Sequence, residues 1–73
     1  MSPRLPALTG RQVIAVLQGR GFVAARQSGN HVVLRHQDGR RVTVPVRAGR
    51  DLGRGLLRQI MRDADLTVDD LAD

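Results

Sequence analysis

The sequence predicts an α+β fold in the order α-β-β-β-α: a three-stranded antiparallel sheet with two helices on one of its faces. Three observations carry that prediction. Apolar residues recur at helical spacing near both ends of the chain, over residues 10–20 and 54–64. Between them, residues 31–46 alternate apolar and polar with the period of a strand. Two turn clusters, Ser28-Gly29-Asn30 and Gln37-Asp38-Gly39, divide that middle stretch. Only one sheet face is apolar and both helices need it. They must share it, which leaves the other face to solvent or a partner.

The elements follow in order. Residues 1–8 carry Pro3 and Pro6 and read as an irregular lead-in. Thr9 is a good N-cap, because its hydroxyl can accept from a free N–H of the first helical turn. The first helix then runs to about Arg20, with Val13, Val16, Leu17 and Ile14 as its stripe. Gly21 ends it from the left-handed C′ position. Residues 22–27, 31–36 and 41–46 read as strands. In the third, Val42, Val44 and Val46 share one face, opposite Arg41, Thr43 and Pro45. In the second, Val32 and Leu34 oppose His31, Val33 and Arg35. A two-residue Asp38-Gly39 loop would set the two apolar rows on opposite faces. A three-residue Gln37-Asp38-Gly39 loop pairs Leu34 with Val42 and Val32 with Val44, with Gly39 in the left-handed position. That register is chosen because it gives one core face. The second helix spans about Arg54 to Ala64, with Leu56, Leu57, Ile60, Met61 and Ala64 as its stripe. Thr67-Val68-Asp69-Asp70 resembles a capping box and predicts a short last turn.

The 73 residues are expected to form one domain, residues 1–73, with a limited core. Without cysteine there is no disulfide and no thiolate metal site. The opening MSPRLPALTG has no apolar run long enough for a signal peptide or a membrane span, and the composition fits a cytoplasmic protein without membrane contact. All 12 basic residues are arginine, and the net charge is +5. Nucleotide bias explains arginine in place of lysine but not the excess of positive charge. A polyanion such as nucleic acid therefore ranks ahead of mere solubilisation. With one Phe there is no aromatic platform for stacking bases. Contact with RNA must rest on backbone charge, shape or arginine planes.

The chosen register places His31, Val33, Arg35, Arg41, Thr43 and Pro45 on the open face. Arg35 and Arg41 fall opposite each other, and an anion there would relieve their repulsion, although both can also splay into water. An imidazole at His31 can deprotonate a ribose 2′-OH or protonate a leaving 5′ oxygen. From the residues alone, a strand histidine with no task outweighs that reading. His36 has core-side parity and reads as structural. The two histidines do not share a face, there is no glutamate, and the acids Asp63, Asp65, Asp69, Asp70 and Asp73 cluster as a solvated end. No metal site and no cofactor is expected. Gly49, Gly53 and Gly55, with Arg47, Arg50 and Arg54, are either a loop through which phosphate reaches helical N–H groups or simply a flexible loop.

Ordered motifs over nearly the full length then carry a resemblance: LTGRQVIAVLQGRGF, RQSGNHVVLRHQDGRRVTVPV and LGRGLLRQIMRDADLTVDDL. The chain resembles the HicA toxins of bacterial type II toxin–antitoxin pairs. The resemblance implies a fold like the double-stranded-RNA-binding domain. It implies a metal-independent endoribonuclease that cleaves mRNA, with His31 as general acid/base. It also implies a HicB-type antitoxin that blocks the toxin and through which the pair meets operator DNA. The RNA contacts expected beside His31 are Asn30, Arg35, Arg41, Thr43 and Arg47. Asn30 stands where serine is common in the family and can still hydrogen-bond a phosphate. Arg47 stands where many relatives carry a second histidine, and an arginine is no acid at neutral pH. The competing readings are a non-catalytic RNA-binding module on the same basic face and a domain that only docks an acidic antitoxin.

Overall fold

In the computed structural model, which describes residues 5–72, the first helix α1 spans Gly10–Gly19. Pro3 of the expected lead-in and Asp73 of the acidic end lie outside the described residues. Thr9 caps α1. Its Oγ1 accepts from the Gln12 N–H at 3.2 Å, and Gln12 Oε1 accepts from the Thr9 N–H at 2.9 Å. This capping box satisfies donors that a helix start leaves free. At the other end the Phe22 N–H donates to Leu17 O (3.0 Å) and the Gly21 N–H to Gln18 O (3.2 Å), with Gly21 at φ 93°. That is a Schellman stop. Phe22 is consumed by it, so strand β1 starts one residue later than expected and spans Val23–Ser28.

Strands β2 (His31–Arg35) and β3 (Arg41–Pro45) complete an antiparallel sheet of order β1-β2-β3. Val32 pairs with Val44, Leu34 with Val42 and Arg35 with Arg41, the register argued from the core face. The turn between them holds three residues. The His36 N–H donates to Arg40 O at 2.9 Å, the Gly39 N–H returns to His36 O at 3.0 Å, and Gly39 has φ 100°. His36 and Val46 lie just outside the strands to which they were assigned.

Helix α2 spans Arg54–Ala64 and a last short helix α3 spans Val68–Ala72. Val13 and Leu17 of α1, Leu34, Val42 and Val44 of the sheet, and Leu57 and Ile60 of α2 are all below 2 % exposed. The two long helices thus share one sheet face, as expected. Each such side chain contributes roughly 1.5–3 kcal/mol by leaving water. Leu56 departs from its expected core position and is 40 % exposed. It lies about 100° round α2 from Leu57, on the side of the open cleft described below. Gly10 is buried where α1 meets β3. A Cβ added there would lie 2.1 Å from the Pro45 carbonyl oxygen. Among the described residues no helix is long and apolar enough to cross a membrane.

Two carboxylates tie local structure together. Asp70 Oδ2 accepts the Thr67 N–H at 2.7 Å and Thr67 Oγ1 accepts the Asp70 N–H at 3.3 Å, the expected capping box. Arg20 adds an ion pair to Asp70 at 2.6 Å, joining α1 to α3. The Thr67 backbone hydrogen bond, assisted by Arg20, holds the Asp70 carboxyl below its ordinary range. The Arg40 backbone N–H, then its side chain, does the same for Asp38. A depressed folded pKa gives stability that is present above the unfolded value and is lost as pH falls through the folded one. Thermal unfolding should therefore show a falling melting temperature below about pH 4, with a shallower fall in D38N/D70N.

Candidate active-site cleft

The strand register writes three rows across the open face. They are Ser28-His31-Pro45, Arg26-Val33-Thr43 and Val23-Arg35-Arg41. Neighbouring rows are two residues apart along β2 and β3, so the outer rows lie about 13 Å from each other. His31 and the Arg35–Arg41 pair therefore occupy opposite ends of the face. Thr43 stands in the middle row. Asn30 is exposed in the turn before His31, with its main chain engaged at β3.

At the His31 end the sheet meets the loop of residues 46–53 and the start of α2. His31, Pro45, Arg47, Arg50, Asp51, Leu52, Gly53 and Leu56 line one open cleft of about 320 Å³. Local hydrogen bonds explain why these residues gather. The Val46 N–H donates to Asn30 O at 2.5 Å, fastening the chain that leaves β3 to the turn before His31. The Arg50 N–H donates to Arg47 O at 3.2 Å and turns the loop. Asp51 then forms a β-bridge with Thr9, and the Leu52 N–H donates to Leu8 O at 2.7 Å. The loop is thus anchored to the lead-in of α1. Gly53 caps α2 without a side-chain hydrogen bond, so among the described residues the first-turn N–H groups have no side-chain cap at the cleft.

The cleft is therefore a basic recess with an imidazole in its lining. Arg47 and Arg50 supply two cations with forked donors for an anionic oxygen. Asp51 supplies a carboxylate and Leu56 an apolar wall. Of the residues expected to contact RNA, the structure brings Arg47 to His31 and keeps Arg35, Arg41 and Thr43 in the other two rows. Arg50 and Asp51 were missed as partners of His31. The glycine spacing at 49, 53 and 55 hinted at the loop, but the fold of that loop depends on its bridge to Thr9. Arg26 was missed as well. A register shift between Ala24 and Arg26 turns Arg26 onto the open face, where simple alternation from Val23 would turn it inward.

His36 takes the structural part expected for it. Its ring meets Phe22 edge-on at 5.1 Å, and Nδ1 accepts the Asp38 N–H at 3.1 Å. Arg40 lies over the other partner of this group, with its guanidinium 5.0 Å from the Phe22 centroid. It also pairs with Asp38 at 2.8 Å and donates to the Ala64 carbonyl at the end of α2. The segment His36-Gln37-Asp38-Gly39-Arg40 is thus a clip from the hairpin to the helix layer. Among the described residues, no three His, Cys, Asp or Glu side chains stand close enough to hold a metal ion.

The chain is thus a small α+β fold with a histidine in a basic cleft. Residues 10–66 match the family described as HicA toxin of bacterial toxin–antitoxin. The chain belongs to that family, and so is the toxin of a toxin–antitoxin pair with an antitoxin as its partner. No curated protein matches it.

Proposed function

We propose that this toxin is an endoribonuclease that cleaves mRNA in the cytoplasm without a metal ion. We further propose that a HicB-type antitoxin neutralises it, and that the fold is of the double-stranded-RNA-binding-domain type, built as one toxin domain. The observation that carries the catalytic reading is the position of His31 in the same cleft as Arg47 and Arg50.

The chemistry needs two proton transfers. A base removes the 2′-OH proton as the 2′ oxygen attacks phosphorus. An acid protonates the 5′ oxygen as its bond to phosphorus breaks. The products are a 2′,3′-cyclic phosphate and a 5′-OH. His31 is suited to either transfer, because an imidazole ring can both accept and donate a proton. Arg47 and Arg50 stabilise the charge that grows on the phosphorane oxygens. Among the described residues, Asp51 is the one other proton-exchanging side chain lining the cleft. It serves the second proton transfer in this mechanism, since Arg47 cannot act as an acid. The test is cleavage of a defined RNA by the purified chain in EDTA. Retained cleavage supports the reading, and loss of cleavage overturns the metal-free mechanism.

A further inference from the structure

The open face carries positive charge that the cleft does not use. Arg26, Arg35 and Arg41 all lie on it and are exposed. Arg35 and Arg41 sit directly opposite each other. The remaining residues of the three rows are Val23, Ser28, His31, Val33, Thr43 and Pro45, so no acid stands among them. Among the described residues, the ion pairs engage Arg20, Arg40 and His36 and none of these three arginines. Like charges across strands are unfavourable unless a counter-charge intervenes. The bulge at β1 adds a third cation to the same face.

Spacing gives this patch a meaning. The rows begin at His31 and step by roughly 6.6 Å to Arg26–Thr43 and again to Arg35–Arg41. An extended RNA strand covers that full distance of about 13 Å in about two nucleotides. We infer that the open sheet face is a second RNA subsite, which holds the backbone flanking the scissile phosphate, with Arg26, Arg35 and Arg41 as its cations. This inference rests on the ribonuclease reading. It adds that the substrate runs along β2, away from the α2 end of the cleft. The three arginines grip phosphates that do not react, so their binding energy is uniform and enters KM rather than kcat.

The test compares two oligonucleotides with a single cleavable ribose, the rest being 2′-deoxy. One is a dinucleotide, whose single phosphate is the scissile one, and the other carries several nucleotides on each side. R26A/R35A/R41A is expected to raise KM for the longer substrate about tenfold or more and to leave its kcat unchanged. Its KM for the dinucleotide should stay near the wild-type value. The salt dependence of log KM for the longer substrate should fall by about 2, near 0.7 for each lost contact to a single strand. R11A/R58A/R62A removes equal charge from exposed helical positions and should leave both KM values near wild type. An equal KM rise in both triple variants, or an equal rise on both substrates, would overturn the inference in favour of net charge or damage to the cleft. An unchanged KM in R26A/R35A/R41A would also overturn it. If the wild-type chain cleaves neither substrate, the nuclease reading fails. Binding of the longer oligonucleotide by the same variants, read by fluorescence anisotropy, then decides whether the face grips RNA.

Discussion

His31→Ala is expected to fold like the wild type and to lose RNA cleavage by about a hundredfold or more, the size of a general acid–base contribution. The fold should survive because His31 is exposed, belongs to no salt bridge or side-chain hydrogen bond among the described residues, and pairs with β3 through its main chain. Growth arrest on expression should disappear with the activity. His36→Ala makes the opposite prediction and serves as the control. It removes the edge contact with Phe22 and the acceptor for the Asp38 N–H, so the melting temperature should fall while the cleavage rate of the folded fraction is kept. Circular dichroism and a defined-RNA cleavage assay on both variants check the pair. A His31→Ala chain that cleaves at the wild-type rate would remove His31 from the mechanism.

Gly10→Ala is expected to destabilise the protein by about 2 kcal/mol or more, as overpacking between backbones does. A methyl group there meets the Pro45 carbonyl oxygen at 2.1 Å, its carbonyl carbon at 3.1 Å and Val46 Cα at 3.2 Å. All three are backbone atoms, which cannot swing aside. Relief requires α1 to lift from the end of β3. In a domain of this size the melting temperature should drop by roughly 10 °C. Pro45 pairs with His31 and lines the cleft, so cleavage by the folded fraction should weaken too. Gly19→Ala gives the contrast. Nothing lies within 4 Å of its added Cβ, and Gly19 is helical. It should gain about 0.5 kcal/mol from helix propensity. Thermal unfolding of the two variants separates close approach from glycine content. A Gly10→Ala chain as stable as wild type would mean that the α1–β3 approach is looser than the structure has it.

The frame of this fold was legible because its cues are local. Thr9, Gly21 and Gly39 each act within a few residues of where they stand, and the hairpin register followed from asking that Leu34 and Val42 share a face. His31 stood out as a candidate through family resemblance and not through its chemistry, since a lone strand histidine says little. What stayed hidden depends on distant chain segments. The cleft exists because Asp51 bridges Thr9 and Asn30 O takes the Val46 N–H, neither of which periodicity reveals. Leu56 fits a helical stripe as well as Leu57 does, and only the course of α2 past the sheet separates them. Arg26 reaches the open face through a bulge, and alternation alone places it on the other side.

The proposed metal-free attack of the 2′ oxygen on phosphorus, driven by His31 as the 5′ oxygen leaves, is tested most directly by the chemical ends of the products. A defined RNA cleaved by the purified chain in EDTA should yield a 2′,3′-cyclic phosphate and a 5′-OH at each cut. Products ending in 3′-OH and 5′-phosphate would contradict the account, because water, and not the 2′ oxygen, would then have been the nucleophile.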